Sequence, residues 1–232
     1  MSRVKNSDYH QLNPKFSIPL KELEERILHI FPRQFEEYKT VRSVKDIAFI
    51  HDISLMQESE LQALLRSIPL QSDHSIFPYH AANISFPSVS PHFLALGQTY
   101  VQKDKLLHFI SKTSTLFGKY VTPGISSLPP MMIYGESYDA KNVLAFYLPP
   151  LVEKHDGLPV LIDGLHRSVV AHAAGTTISS LHLDRIEAPL HFIPSVAWDS
   201  LQYVDVKPPL EERFQGLKME YFRDFSYVGI DG

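Results

Sequence analysis

The sequence predicts an α+β fold, in which a mainly helical N-terminal region (residues 1–120) precedes an α+β domain (residues 121–232). In the first half, apolar residues recur at helical spacing in three segments. In the second half, a strand–turn–helix–strand succession spans residues 159–193. A chain of 232 residues, 44% of them hydrophobic, can bury one large core or two smaller ones.

The three helical segments of the first half are separated by less regular stretches. They are residues 19–31, 57–68 and 102–117, and Pro69 ends the second of them. Residues 44–50 fit either a short strand or a helical turn, and residues 70–100 read as loops with short strands. We therefore expect the first half to form a separate lobe or a cap.

The second half is predicted to contain short strands, one short helix and rigid loops. The predicted strands are residues 131–134, 159–162, 178–183, 189–193 and 201–206. Residues 167–174 predict a helix, with Gly175 in the position of a C-cap glycine. Residues 139–148 fit a helix or a strand, and a further helix is expected near residues 209–215. The aromatic tail, residues 219–228, could stack on a base, dock on the protein or form a homodimer contact.

Composition excludes several classes of function. The formal charge of −4 is spread along the chain and does not favour a broad basic surface for nucleic acid. The absence of cysteine excludes disulfides, thiolate catalysis and cysteine-ligated metals. Because no stretch approaches the roughly 20 apolar residues that span a bilayer, and no signal peptide opens the chain, we expect a soluble cytoplasmic protein without membrane contact.

The most informative stretch is Asp163-Gly164-Leu165-His166-Arg167-Ser168, between an apolar strand and a helix. The start of a helix offers free backbone amides and the positive end of a dipole, and therefore suits an anion. A glycine there allows a tight turn and close approach to a ligand. The predicted phosphate-binding residues are Gly164, Leu165, His166, Arg167 and Ser168.

The side chains of this stretch suggest roles in chemistry on a phosphate. Arg167 can fork onto phosphate oxygens, and His166 can donate a hydrogen bond or move a proton. Asp163 could hold Mg²⁺ through water or act as a base on an acceptor hydroxyl. The alternative is structural, with Asp163 as a helix N-cap and Arg167 as its ion-pair partner.

The pattern of strand, D-G-x-H-R, short alanine-rich helix, glycine and strand resembles the ParB/sulfiredoxin-like superfamily. The resemblance covers about residues 121–195, where PPMMIYGE (residues 129–136) could supply the family's earlier strand. It implies that the Asp163–Arg167 element cradles the phosphates of a nucleotide.

Within that superfamily, the residues resemble the D-G-H-H-R branch of free-serine kinases most. Asp163, His166 and Arg167 match that motif, whereas Leu165 replaces its first histidine. Sulfiredoxin activity is excluded because it needs a cysteine. Only about 57 proline- and aromatic-rich residues follow Gly175, which does not favour a ParB-type DNA clamp.

The resemblance implies a phosphotransferase that uses Mg²⁺ and ATP, ADP or CTP to phosphorylate a small hydroxyl-bearing molecule. Asp163, His166 and Glu136 are the candidate catalytic residues, Glu136 by its position at the end of the preceding strand. Two alternatives stay open: a nucleotide-binding regulatory protein without turnover, and a ParB-like nuclease, which the lack of a basic groove disfavours.

Overall fold

The computed structural model describes residues 16–27, 37–108 and 128–230, and all that follows concerns these residues. Its helices are α1 (Leu20–Arg26), α2 (Glu58–Arg66), α3 (Lys103–His108) and α4 (Leu165–Ala173). Its strands are β1 (Ser17–Pro19), β2 (Thr40–Arg42), β3 (Ile47–Leu55), β4 (Asn83–Ser85), β5 (Ser88–Val89), β6 (Ala95–Leu96), β7 (Tyr100–Gln102), β8 (Met131–Ser137), β9 (Asn142–Tyr147), β10 (Leu151–His155), β11 (Leu158–Asp163), β12 (Ile178–Ser179), β13 (Leu181–Asp184) and β14 (Gln202–Val204).

Two mixed five-stranded sheets form the body of the protein. The first has the order β1-β2-β9-β8-β3 and is built around the antiparallel β8–β9 hairpin. The second has the order β4-β13-β10-β11-β6 and is built around the β10–β11 hairpin. Asp156 and Gly157 turn that second hairpin with φ angles of +51° and +83°, as a two-residue turn requires. Two-stranded ribbons, β5–β12 and β7–β14, flank the sheets.

One hydrophobic core joins the two sheets. The first sheet contributes Met132 and Leu144, and the second contributes Val160 and Leu181, all fully buried. Because both faces of β8, β9 and β11 are largely covered, these strands are apolar runs without alternation. A separate cluster beneath α4 buries Leu165 and Val169, which are four residues apart and therefore lie on one helix face.

The prediction of a mainly helical N-terminal region is wrong. Helices α1 and α2 are present where the periodicity places them but are short, with seven and nine residues, and α3 covers Lys103–His108 of the described residues. The residues between them are mostly strands and loops. Residues 44–50 form a 3₁₀ turn and then the start of β3, a nine-residue strand that pairs with β8. Local periodicity could not show this pairing, because β8 lies far along the chain.

Several other segments differ from their sequence interpretation. Residues 139–148, which fit a helix or a strand, contain β9. Residues 189–193 are irregular, with a bend at residues 191–192, instead of a strand, and the helix expected near residues 209–215 is a 3₁₀ turn at Leu210–Glu212. Helix α4 begins at Leu165, two residues before its predicted start. The remainder of the predicted helices at 19–31 and 102–117 lies partly outside the described residues.

Both five-stranded sheets combine strands from either side of residue 120, where the sequence suggests a domain boundary. The boundary itself falls among residues outside the described ranges, and the division into two domains stays a prediction. Among the described residues, no helix is long and apolar enough to cross a membrane.

Candidate anion-binding site

The turn between β11 and α4 depends on a glycine. Gly164 has φ +89° and ψ 22°, a left-handed conformation that residues with a Cβ atom rarely adopt. A methyl group at this position would lie 2.7 Å from Cα of Pro150, in the loop between β9 and β10. The close backbone approach that the glycine permits is therefore an approach to Pro150.

Arg167 fastens the same loop to the turn. Its Nη1 donates to the carbonyl of Leu148, and its guanidinium lies 5.1 Å from the ring centroid of Tyr147. Its Nη2 lies 3.5 Å from Oδ2 of Asp163, one helical turn away. The ion pair of the structural interpretation is thus present, whereas the helix cap is Gly164 and Asp163 makes no capping hydrogen bond.

His166 is held as a neutral imidazole. The amide of Gln102 donates to its Nε2 at 3.0 Å, so the ring proton is on Nδ1. Burial lowers the pKa of His166 to about 4, and the positive charges of Lys105, Arg167 and Lys207 lower it in the same direction. At neutral pH, His166 can therefore donate a hydrogen bond from Nδ1 but carries no charge.

The backbone at the start of α4 adds further donors. The amide of Ser168 donates to the carbonyl of Gly164 at 3.0 Å and is used by the helix itself. The amides of Leu165, His166 and Arg167 precede that first helical bond and therefore have no acceptor within the helix. The side chains of Leu165 and Ser168 are buried, so Leu165 offers only its amide.

Cations gather around this end of α4. Lys105 from α3, Arg167 from α4 and Lys207 from the segment after β14 are all near enough to His166 to lower its pKa. Asp163 lies beside Arg167 with its side chain a quarter exposed, and Asp205, two residues before Lys207, pairs with Lys103 at 3.0 Å. The helix dipole adds positive charge at the same place. These cations and the helix dipole favour a negative charge at this place, although the chain as a whole is acidic.

Glu136 does not join the turn. It pairs with Asn142 at one end of the β8–β9 hairpin, whereas Tyr147, which contacts Arg167, pairs with Met131 at the other end. Five strand residues separate these levels, a distance of about 17 Å. The structure thus brings Asp163, His166 and Arg167 together and places Glu136 elsewhere.

The residues at the turn suit Mg²⁺ only together with phosphate. Within the described part of the chain, no three histidine or carboxylate side chains form a metal-binding group. Asp163 is a single carboxylate, and Mg²⁺ commonly uses one or two carboxylates with phosphate oxygens and water.

A second polar cluster, which the sequence analysis missed, lies inside the second sheet. Glu153 on β10 is fully buried and meets Arg223 through two hydrogen bonds of 2.9 Å. The hydroxyl of Tyr79 donates to it at 2.6 Å, and His155 Nε2 lies 2.6 Å away. Nothing in the sequence signalled this burial, because Glu153 is followed by Lys154 and His155 in a polar half of β10. This buried network holds the aromatic tail, which is docked on the protein.

Comparison with known proteins does not assign this site. No protein-family model matches the chain. No curated protein and no solved structure is significantly similar to it. The resemblance to the ParB/sulfiredoxin-like superfamily therefore rests on the D-G-x-H-R motif and its neighbouring elements.

Proposed function

We propose that the turn from Asp163 to Ser168 binds the phosphates of a nucleotide, and that the protein transfers a phosphoryl group to a small hydroxyl-bearing molecule. The observation that supports this most is the convergence of Lys105, Arg167 and Lys207 at the start of α4. Unbonded helix amides and the helix dipole act at the same point. The likeness of the motif to the ParB/sulfiredoxin-like superfamily points to the same ligand.

Each residue of the turn has a role that its surroundings permit. Arg167 uses two of its five N–H donors in its contacts with Leu148 and Asp163, and its remaining donors suit phosphate oxygens. His166 donates from Nδ1 to a phosphate oxygen. Asp163 takes the proton of the attacking hydroxyl group, or it accepts a hydrogen bond from a water molecule bound to the nucleotide's Mg²⁺. A bound Mg²⁺ would supply neutralising charge to the phosphates.

A second function, nucleotide binding without turnover, is favoured by the surroundings of Asp163. The carboxylate is paired with Arg167, and Glu136, the other carboxylate considered as a base, lies at the far end of its hairpin. In this case the nucleotide would control the shape or the association of the protein. Nucleotide binding is common to both functions, and only turnover separates them.

The first experiment measures the melting temperature of the protein with ATP, ADP, CTP and tripolyphosphate, each with Mg²⁺. A ligand at about 100 times its Kd should stabilise the fold by about 2.7 kcal/mol. We expect Arg167→Lys to reduce this rise strongly, because lysine keeps the charge but loses the planar fork. Arg66→Ala, at an exposed position on α2, should bind like the wild type.

Because Arg167 also holds the β9–β10 loop, its replacement could weaken the fold itself. Lys105→Gln and Lys207→Gln test the same site from other elements, and each should weaken nucleotide binding a few-fold. If neither lysine variant changes binding, or if no nucleotide raises the melting temperature, the turn is not a phosphate site. Consumption of nucleotide with a panel of hydroxyl acceptors then distinguishes the kinase from the regulatory protein.

A further inference from the structure

A small pocket lies beside the second half of α4, away from the turn. Its volume is about 260 Å³. Its walls are formed by Val169 and His172 from α4 and by Trp198, Asp199, Leu201 and Tyr203 from the segment that leads into β14. Pockets for whole drug-sized ligands are about 300–1,000 Å³, so this one suits a single ring system.

Aromatic rings make the wall of the pocket rigid. The indole of Trp198 stacks on His172, with ring centroids 4.5 Å apart and an interplanar angle of 7°. The ring of His92 lies 4.0 Å from that of His172, and Trp198 Nε1 donates to the carbonyl of Leu94 at 3.0 Å. Burial and His92 lower the pKa of His172, which favours its neutral form at neutral pH. The pocket therefore presents fixed, uncharged ring surfaces.

One chain segment links the pocket to the neighbourhood of the turn. The segment from Trp198 to Lys207 begins beside His172, in the wall of the pocket. Farther along it, β14 pairs with β7 so that Val204 lies opposite Gln102. Gln102 donates to His166, and Lys207 lowers the pKa of His166. The segment thus runs antiparallel to α4, from its C-terminal half to its first turn. His166 and His172 are six residues apart, which is about 9 Å along the helix axis.

The charges differ between the two ends of this segment. Asp199 lies at the aromatic end, whereas Lys105, Arg167 and Lys207 lie at the end near the turn, where Asp205 pairs with Lys103. A carboxylate accepts hydrogen bonds from the N–H groups of a nucleobase and repels phosphates. The cations at the other end attract phosphates. A molecule with a nitrogen-bearing ring at one end and phosphates at the other matches both ends.

We infer that this pocket, walled by His172, Trp198, Asp199 and Tyr203, binds the base of a nucleotide whose phosphates lie on the Asp163–Ser168 turn. The inference rests on the proposed function for the phosphate half of the ligand. The base packs against the rings and donates an N–H to Asp199. The ribose and the first phosphates follow α4 toward Arg167.

Trp198 is the single tryptophan of the chain, so its fluorescence reports on the pocket alone. The experiment titrates the protein with ATP, ADP, CTP and tripolyphosphate, each with Mg²⁺, and follows tryptophan emission together with melting temperature. We expect at least one nucleotide to change the emission saturably. Tripolyphosphate should raise the melting temperature without that change.

Two variants on the pocket wall make the assignment specific. Tyr203 is 53% exposed and Asp199 is also exposed, so alanine at either position should leave the fold intact. Each variant should weaken nucleotide binding by about tenfold, Tyr203→Ala through lost stacking and Asp199→Ala through a lost hydrogen bond, and should leave tripolyphosphate binding unchanged. Tyr138→Ala, at the exposed turn of the β8–β9 hairpin, is the matched control.

The failures of the two proposals have different signatures. If nucleotides and tripolyphosphate bind equally, with Arg167-dependent stabilisation but no change in emission or in the pocket variants, the base site is overturned and the phosphate site stands. If none of the four compounds stabilises the protein in an Arg167-dependent way, the phosphate site fails and the base site fails with it.

Discussion

Two arginines of this protein show how differently the same side chain can be held. Arg223 is 1% exposed, and its five N–H donors meet both oxygens of Glu153 and the carbonyls of Ala188, Pro189 and Tyr221. Arg167 meets one carbonyl, an aromatic face and a carboxylate at 3.5 Å. An arginine with all donors satisfied inside the protein is structural, whereas Arg167 has further N–H donors, which we propose for an anion.

The balance of charge separates the two regions in the same way. In the buried network, the carboxylate of Glu153 is matched by the guanidinium of Arg223. At the turn, Asp163 stands beside Lys105, Arg167 and Lys207. A compensated buried pair needs no ligand, whereas cations that gather at the positive end of a helix favour an anion.

The largest expected effect comes from breaking the buried pair. Arg223→Met should reduce the free energy of unfolding by about 3–5 kcal/mol, because it leaves the carboxylate of Glu153 buried without its cation. Urea denaturation measures the loss. Arg167→Met should cost clearly less, since the carboxylate of Asp163 is a quarter exposed and stays hydrated. Equal losses in the two variants would remove the distinction between a structural arginine and a binding one.

The second effect concerns the shape of the turn. Gly164→Ala should reduce the free energy of unfolding by about 3 kcal/mol, because a positive φ costs an alanine about 1–2 kcal/mol and the contact with Pro150 adds to it. Gly157→Ala is the matched control, since Gly157 has a similar φ of +83° but nothing within 4 Å of the added methyl group. The difference between the two variants, measured by urea denaturation, isolates the Pro150 contact. A difference near zero would mean that the β9–β10 loop can move away from the turn.

The sequence predicted the local structure of the Asp163–Arg167 turn better than the fold around it. The residues of the Asp163–Arg167 turn are contiguous, so local rules for glycine, helix starts and charge were enough to place them. Helix α2 and strand β8 were also confirmed, because their apolar patterns are strong within one segment. The helical N-terminal region was wrong because short segments there are decided by long-range pairing, as between β3 and β8.

Long-range pairing also explains which residues near the turn could not be found from the sequence. Lys105, Lys207 and Gln102 approach His166 only because α3, β7 and β14 fold against α4. Glu136 was chosen because it lies near the end of a buried strand, but that end of the β8–β9 hairpin is the one far from the turn. Spacing along the chain could therefore find the turn, but it could not find what surrounds the turn.

The smallest expected effect is a pH dependence to which both regions contribute. Burial lowers the pKa of His166 at the turn to about 4 and that of His191, beside the buried network, to about 3. The unfolded chain binds these protons below about pH 6.5 and the folded protein does not, so stability falls as the pH falls from 6.5 toward 4. Between about pH 7.5 and pH 5, each histidine should reduce the free energy of unfolding by about 2 kcal/mol. His166→Gln and His191→Gln should each remove about half of this combined loss of stability, as measured by urea denaturation at the two pH values. If His166→Gln keeps the full pH dependence of the wild type, then His166 of the wild-type protein is protonated in the folded state as readily as in the unfolded chain. The turn would then carry one more positive charge at low pH.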